Sequence, residues 1–274
     1  MNKHEYAQEV CKYVNMNGYE TEIIDSSRNN GAFVGVLVRI GNGRNASPIF
    51  NINGQETVSP ADFADQILSS MPSDINVDAV TEIMSDRDEV MSRSHYVLVN
   101  SKLNASRESL LRRPVNKTLE LQYKVDIDDV VAGARVPVEK KHMINLGLDE
   151  EEFYKKALSN TMEKYPAKLA NISEMLPIDI GEELPMYVLT NTSVNYGAGA
   201  ILYSGMKKKL EDIVGDFVVI PSSVHETIIV PSSLGGIDDI STMIREVNET
   251  VVSPEEVLSD VPYELVSDGV LLEV

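Results

Sequence analysis

The feature that most constrains this chain is an alternating run set between two turn signals. Val34, Val36, Val38 and Ile40 occupy every second position of the stretch from Ala32 to Ile40, the spacing of a strand with one buried face. Asn29-Asn30-Gly31 precedes the run and Gly41-Asn42-Gly43 follows it. Asn and Gly tolerate positive φ, so both sites suit hairpin turns. Turns that tight join only antiparallel strands. With Tyr19–Asp25 and Ser47–Ile52 as its neighbours, the run predicts a three-stranded antiparallel meander.

Helical spacing surrounds this meander. Tyr6, Val10, Tyr13 and Val14 recur at three- and four-residue intervals over residues 3–17, an amphipathic helix closed by Asn17-Gly18. Ser59-Pro60 opens a second helix, with Ser as N-cap and Pro in the first turn. A third covers Val77 to about Arg93. Further on, strands are expected at Tyr96–Asn100, Thr118–Ile127, Ala134–Val138, Met186–Thr190, Asp216–Ile220 and Glu226–Val230. Residues 140–175 and 205–214 read as helical, as does a stretch carrying Ile237, Ile240, Met243, Ile244 and Val247. Ser253-Pro254-Glu255-Glu256 has the pattern of a capping box, and two short strands close the chain near Tyr263–Val266 and Val270–Leu272.

The class is therefore α+β: mainly antiparallel sheets with helices packed on one face. Residues 1–93 form an N-terminal part and 94–274 a C-terminal part, and the two can pack as one globule. The runs Tyr96–Asn100 and Tyr187–Asn191 are each followed by an asparagine four residues on, Asn104 or Asn195, and later by a proline, Pro114 or Pro221. These echoes suggest a duplicated strand–loop–helix–strand unit over 94–127 and 185–230.

Composition bears on function mainly by exclusion. At 274 residues and 43% hydrophobic, the chain can bury a substantial core, built without Trp. Its start is polar, and no uncharged apolar run approaches the roughly 20 residues that span a bilayer. A single cysteine, Cys11, leaves no internal disulfide and no cysteine-rich zinc site; it reads as a small core residue. The expectation is a cytoplasmic protein without a membrane. Net charge is −19, with fourteen acidic residues and one basic one, Arg245, after Leu210. The simplest use of that acidity is a solvated surface; the alternatives are a basic protein partner or mimicry of nucleic acid. Direct nucleic-acid binding is not expected. The basic clusters Arg107-Arg112-Arg113-Lys117 and Lys207-Lys208-Lys209 are short and sit among acids.

Two segments could carry chemistry. Pro221-Ser222-Ser223-Val224-His225-Glu226-Thr227 places two hydroxyls, an imidazole and a carboxylate together. Ser222, Ser223, His225 and Glu226 are thus candidate catalytic residues of a hydrolase or transferase. Neighbours on a strand point to opposite faces, so Glu226 is poorly placed to orient His225. A structural corner, with the hydroxyls bonding free backbone groups, is the simpler reading. The second segment, Asn191–Gly199, is rich in small residues. Asn191, Asn195, Gly197 and Gly199 are candidate ligand contacts, since backbone N–H groups can approach an anion closely there. No Lys-Ser/Thr pair follows, so it is not a nucleotide P-loop. If the two segments meet, Asn191, Asn195, Ser222, Ser223 and His225 would line one pocket. Gly41–Ala46 matches a dinucleotide pattern only by letter, because a strand rather than a helix follows it. The four histidines, at 4, 95, 142 and 225, lack metal-ligand spacing. No metal and no cofactor is expected.

Four runs together carry a family likeness: Leu146–Tyr154, Tyr187–Asn191 with Gly197-Ala198, Pro221-Ser222-Ser223-Val224-His225-Glu226, and Pro254-Glu255-Glu256-Val257-Leu258-Ser259-Asp260. The chain resembles an uncharacterised bacterial family of unknown function common in gut clostridia. That likeness spans nearly the whole chain and implies no activity. The family pattern carries Pro-His ahead of the strand near 118; here Val115 follows Pro114. On the residues alone, a non-enzymatic binding or regulatory protein with an acidic C-terminal surface asks least. A hydrolase or transferase using His225 with Ser222 or Ser223 is the alternative, and an acidic decoy of nucleic acid the third.

Overall fold

The structure, a computed structural model, describes residues 1–39, 47–55, 57–71, 76–175 and 185–274. The meander forms as its turn chemistry requires. Strands β1 (Glu20–Arg28), β2 (Gly31–Arg39) and β3 (Ile49–Asn51) make an antiparallel sheet in that order. Asn30 takes the left-handed conformation at the β1–β2 turn. The expected turn at Gly41-Asn42-Gly43 lies outside the described residues. Val34, Val36 and Val38 of β2 are buried against helices α1 (Lys3–Met16) and α2 (Pro60–Ser69), through Tyr6, Val10 and Val14 of one and Phe63 and Ile67 of the other. Cys11 is buried in the same core. Asn2 and Ser59 cap the two helices as acceptors from Glu5 N–H and Asp62 N–H.

A larger core organises the rest. Helices α3 (Val77–Ser85) and α4 (Arg87–Arg93) replace the single helix expected over 77–93. Asp86 breaks it: the Asp86 side chain accepts from the amides of Asp88 and Glu89 and so starts a new helix. Strands β4 (Ser94–Asn100), β5 (Arg112–Pro114), β6 (Leu119–Asp126) and β7 (Arg135–Pro137) form a second antiparallel sheet, with β6 between β4 and β5 and β7 also paired to β6. Residues 140–175 are not continuously helical. Helix α5 (Lys140–Leu146) ends at Gly147, which is left-handed, and α6 (Glu150–Lys164) ends before Pro166. Proline disfavours helical geometry in the residue before it, and strand β8 (Ala167–Asn171) follows.

The third sheet has six strands in the order β13-β12-β10-β11-β9-β8, where β9 is Tyr187–Asn191, β10 Phe217–Ser223, β11 Glu226–Pro231, β12 Tyr263–Ser267 and β13 Val270–Glu273. Helices α7 (Met206–Val214) and α8 (Ile237–Thr250) flank it. All pairings in the three sheets are antiparallel, as α+β predicts.

The segments 94–127 and 185–230 do share a strand order. In each, the third strand lies between the first and second. The first segment has turns over 101–111 where the second has α7, and this strand order alone does not show a duplication. The helix expected after Ser253 is also replaced by a turn. The carbonyls it would need are taken by distant partners. Asn29 Nδ2 donates to Glu255 O, Asn30 Nδ2 to Pro254 O and Val257 O, and Val224 N–H to Glu256 O. Tertiary hydrogen bonds have outcompeted the local ones.

Candidate functional site

Strand β6 alternates strictly. Leu119, Leu121, Tyr123 and Val125 enter the larger core. The other face carries Glu120, Gln122, Lys124 and Asp126, a pattern that ordinarily faces water. Here that face is closed over: Glu120 and Gln122 are 3% exposed and Asp126 6%. Register adds His95, Val97 and Val99 from β4, Arg112 from β5 and Arg135 from β7 to the same face, because each is opposite one of these residues.

Buried charges persist only when paired, and most of these are. Arg112 Nε lies 2.8 Å from both oxygens of Glu120, and Gln122 Nε2 donates to Glu120 Oε1 at 2.9 Å. Asp126 accepts from Lys164 Nζ at 2.6 Å, from Arg135 Nε at 3.2 Å and from the Tyr165 hydroxyl. Burial opposes the charged form of Asp126, but the groups around it, the nearby His95 imidazole and the Lys164 ammonium foremost, outweigh burial and hold its carboxyl well below the usual range. His95 Nδ1 is 3.3 Å from Asp126 Oδ2, too poorly aligned for a hydrogen bond. Burial pushes the His95 imidazole down, against the pull of Asp126.

Lys124 is the exception. No carboxylate among the described residues lies within ion-pair distance of Lys124 Nζ, which stands 3.8 Å above the centre of the Tyr196 ring. Burial first, then repulsion from Arg135 and Arg107, brings its pKa down to about 7. Arg107 likewise holds an amide rather than a carboxylate, donating to Gln122 Oε1 at 3.1 Å.

These cations border a cavity of about 430 Å³, lined by Arg28, Arg107, Lys124 and Arg135 with Gln122, Asn195, Tyr196, His225, Glu255 and Glu256. Four distant segments roof it: the β1–β2 hairpin end, the loop after β9, the β10–β11 corner and residues 255–256. A buried asparagine network holds the hairpin down. Asn104 Nδ2 donates to Asn29 Oδ1, Asn30 Oδ1 and Asn100 O, and Asn100 Nδ2 to Leu258 O.

The two segments singled out by sequence meet at this cavity. Asn195 and His225 line it, whereas Asn191, Ser222, Ser223 and Glu226 do not. His225 Nδ1 accepts from Tyr196 N–H at 3.1 Å, so a neutral ring carries its proton on Nε2, 3.4 Å from Glu256 Oε1. Among the described residues no serine hydroxyl or Glu226 oxygen is hydrogen-bonded to the imidazole. Ser223 Oγ instead accepts from the His225 amide. Asn191 folds its own loop, accepting from Ser193 N–H and donating to Asn195 O. Gly197 and Gly199 are buried against protein. A Cβ at Gly197 would sit 2.2 Å from Thr190 Oγ1 and 2.6 Å from His225 O, and one at Gly199 would meet the Tyr96 ring at 2.8 Å. The same loop holds Val194 and Tyr196 at positive φ, 54° and 51°. For a β-branched residue this is a costly conformation, and such strain concentrates at functional loops.

Lys124, Gln122 and Arg135 escaped the sequence reading. The one available signal was Arg107, which belongs to a recognised basic cluster. Among the described residues, no group of three His, Cys, Asp or Glu side chains is arranged to hold a metal ion, and no helix is long and apolar enough to cross a membrane.

Fold and site together define an α+β protein whose polar sheet face is roofed into a cationic cavity. The chain belongs to the family described as a family of unknown function (DUF5688), whose model matches residues 3–266. No curated protein and no solved structure matches it.

Proposed function

We propose that this protein binds a small organic anion in the cavity above β6. One observation carries the reading: four cations and two carboxylates, Glu255 and Glu256, line a single cavity of a chain with net charge −19, and neither Lys124 nor Arg107 has a carboxylate within ion-pair distance among the described residues. Half-burying such groups without a counter-ion costs stability, and an anionic ligand would recover it. The reading is of a binding protein, because His225 is engaged by Tyr196 and Glu256 rather than by Ser222 or Ser223. A single cysteine suits a bacterial cytoplasm, where such metabolites are met.

The test is thermal unfolding with phosphate, citrate or pyruvate against chloride at matched ionic strength. A bound anion at a hundredfold its Kd stabilises by about 2.7 kcal/mol, and Arg107→Gln should abolish most of that gain. If none of these anions raises the melting temperature above the chloride control, the reading fails.

The acidic C-terminal surface supports a second reading, a protein partner with a basic surface. Helix α8 exposes Met243 and Val247 among Asp238, Asp239, Glu246 and Glu249, a mixed apolar and acidic face suited to such a partner. Recovery of a specific basic protein that is lost on Asp238→Lys with Glu246→Lys would support it; unchanged recovery would remove it.

A further inference from the structure

We infer that the cavity takes a 2-oxo acid and holds it covalently, as an imine between the Lys124 amine and the keto carbon, with the ligand's carboxylate on Arg107 and Arg135. This deepens the anion-binding reading and rests on it.

Charges on the sheet face are unevenly paired. Arg112 is given Glu120, and Arg135 and Lys164 are both given Asp126. Lys124, in the middle of the same strand, is given an aromatic ring and two guanidinium neighbours, whose effect outweighs the opposing pull of Asp126, itself already paired with Arg135 and Lys164. An amine so placed is driven toward its neutral form, and a neutral amine is a nucleophile. Lysine kept only for its charge gains nothing from this arrangement. Lysine kept for its lone pair gains a reactive nitrogen near neutral pH.

The neighbours suit an oxo acid. Arg107 and Arg135 offer planar donors that match a carboxylate, and both border the cavity with Lys124. The Lys124 nitrogen attacks the keto carbon, forming a C–N bond while the carbonyl π pair moves to oxygen. That oxygen is protonated as the nitrogen gives up a proton. The carbinolamine then loses its hydroxyl with a second proton as water, leaving C=N. Amine and ketone become imine and water, with nothing oxidised or reduced. Tyr196 and His225 border the same space and can relay these protons.

The experiment uses the full chain with pyruvate and sodium borohydride, which reduces an imine to a stable secondary amine, followed by peptide mass mapping. One adduct per chain is expected, at Lys124, exceeding any other lysine by about tenfold or more because ordinary lysines are almost wholly protonated at neutral pH. Acetone, which lacks the carboxylate, should not label Lys124 at the same concentration. Absent or scattered labelling overturns the imine, and equal labelling by acetone overturns the oxo-acid assignment. Lactate separates the two readings, since it keeps the carboxylate and lacks the carbonyl. Lactate stabilisation without a pyruvate adduct leaves the anion site standing and overturns the imine; neither effect overturns the imine, and the anion site falls with it only where phosphate and citrate also fail to stabilise. Lys124→Arg should lose the adduct, because a guanidinium does not condense with a ketone.

Discussion

Replacing Lys124 with Met should make the protein more stable, and the gain should depend on pH. Methionine approximates the lysine stem and can pack beside the Tyr196 ring. The Lys124 pKa falls from an ordinary value near 10.5 to about 7. That displacement is about three and a half units at about 1.4 kcal/mol each, an upper bound near 5 kcal/mol. Lys124 is only half-buried, and Met forgoes a cation–π contact of about 0.5–1 kcal/mol, so a net gain of about 2 kcal/mol is expected at pH 6. The sign follows from proton binding. Below pH 7 folded and unfolded chains both carry the charge, and the folded wild type bears the full penalty. Between about 7 and 10.5 the unfolded chain holds a proton that the folded chain has released, so wild-type stability rises with pH relative to the variant. Urea denaturation of both proteins at pH 6, 7.5 and 9 reads this directly. A variant less stable at pH 6, or a gap that does not narrow with pH, would refute the account of Lys124.

Three further substitutions test the surroundings of the cavity. Gly197→Ala would force a Cβ to within 2.6 Å of the Asn191 amide and His225 O; backbone must move, and about 3 kcal/mol or more should be lost by urea denaturation. Asn104→Ala removes the amide shared by Asn29, Asn30 and Asn100, costing about 2–4 kcal/mol; hydrogen exchange should show the β1–β2 turn amides losing protection before the rest of the meander. Glu120→Gln leaves the Arg112 guanidinium without its carboxylate and should cost about 2–4 kcal/mol by urea denaturation, more than a surface ion pair would.

Much of the fold was legible because its signals are local. The Asn-Gly turn, the alternation in β2 and the cap at Ser59 act through neighbours in sequence, and these elements stand where their chemistry puts them. The failures are instructive at particular residues. Ser253-Pro254-Glu255-Glu256 has helix-start chemistry, yet Asn29, Asn30 and Val224 claim its carbonyls from far away. Asp86 splits a continuous periodic pattern by capping. Strand β8 was hidden in Ala-Lys-Leu-Ala-Asn, which has no β-branched residue, although Pro166 marked where the helix had to stop.

The site divides in the same way. The His225 corner and the Asn195 loop could be singled out because small and polar residues cluster in them. Lys124, Gln122 and Asp126 could not, since a strand alternating apolar with polar reads the same whether its polar face meets water or another wall of protein. Sequence alone determined that β6 would have two unlike faces. Only the tertiary structure decided that the polar face would be roofed by the hairpin, the Asn195 loop and the His225 corner, because burial is set by segments remote along the chain. That roof is what removes water from Lys124 and turns an ordinary strand lysine into the most perturbed cation of the cavity.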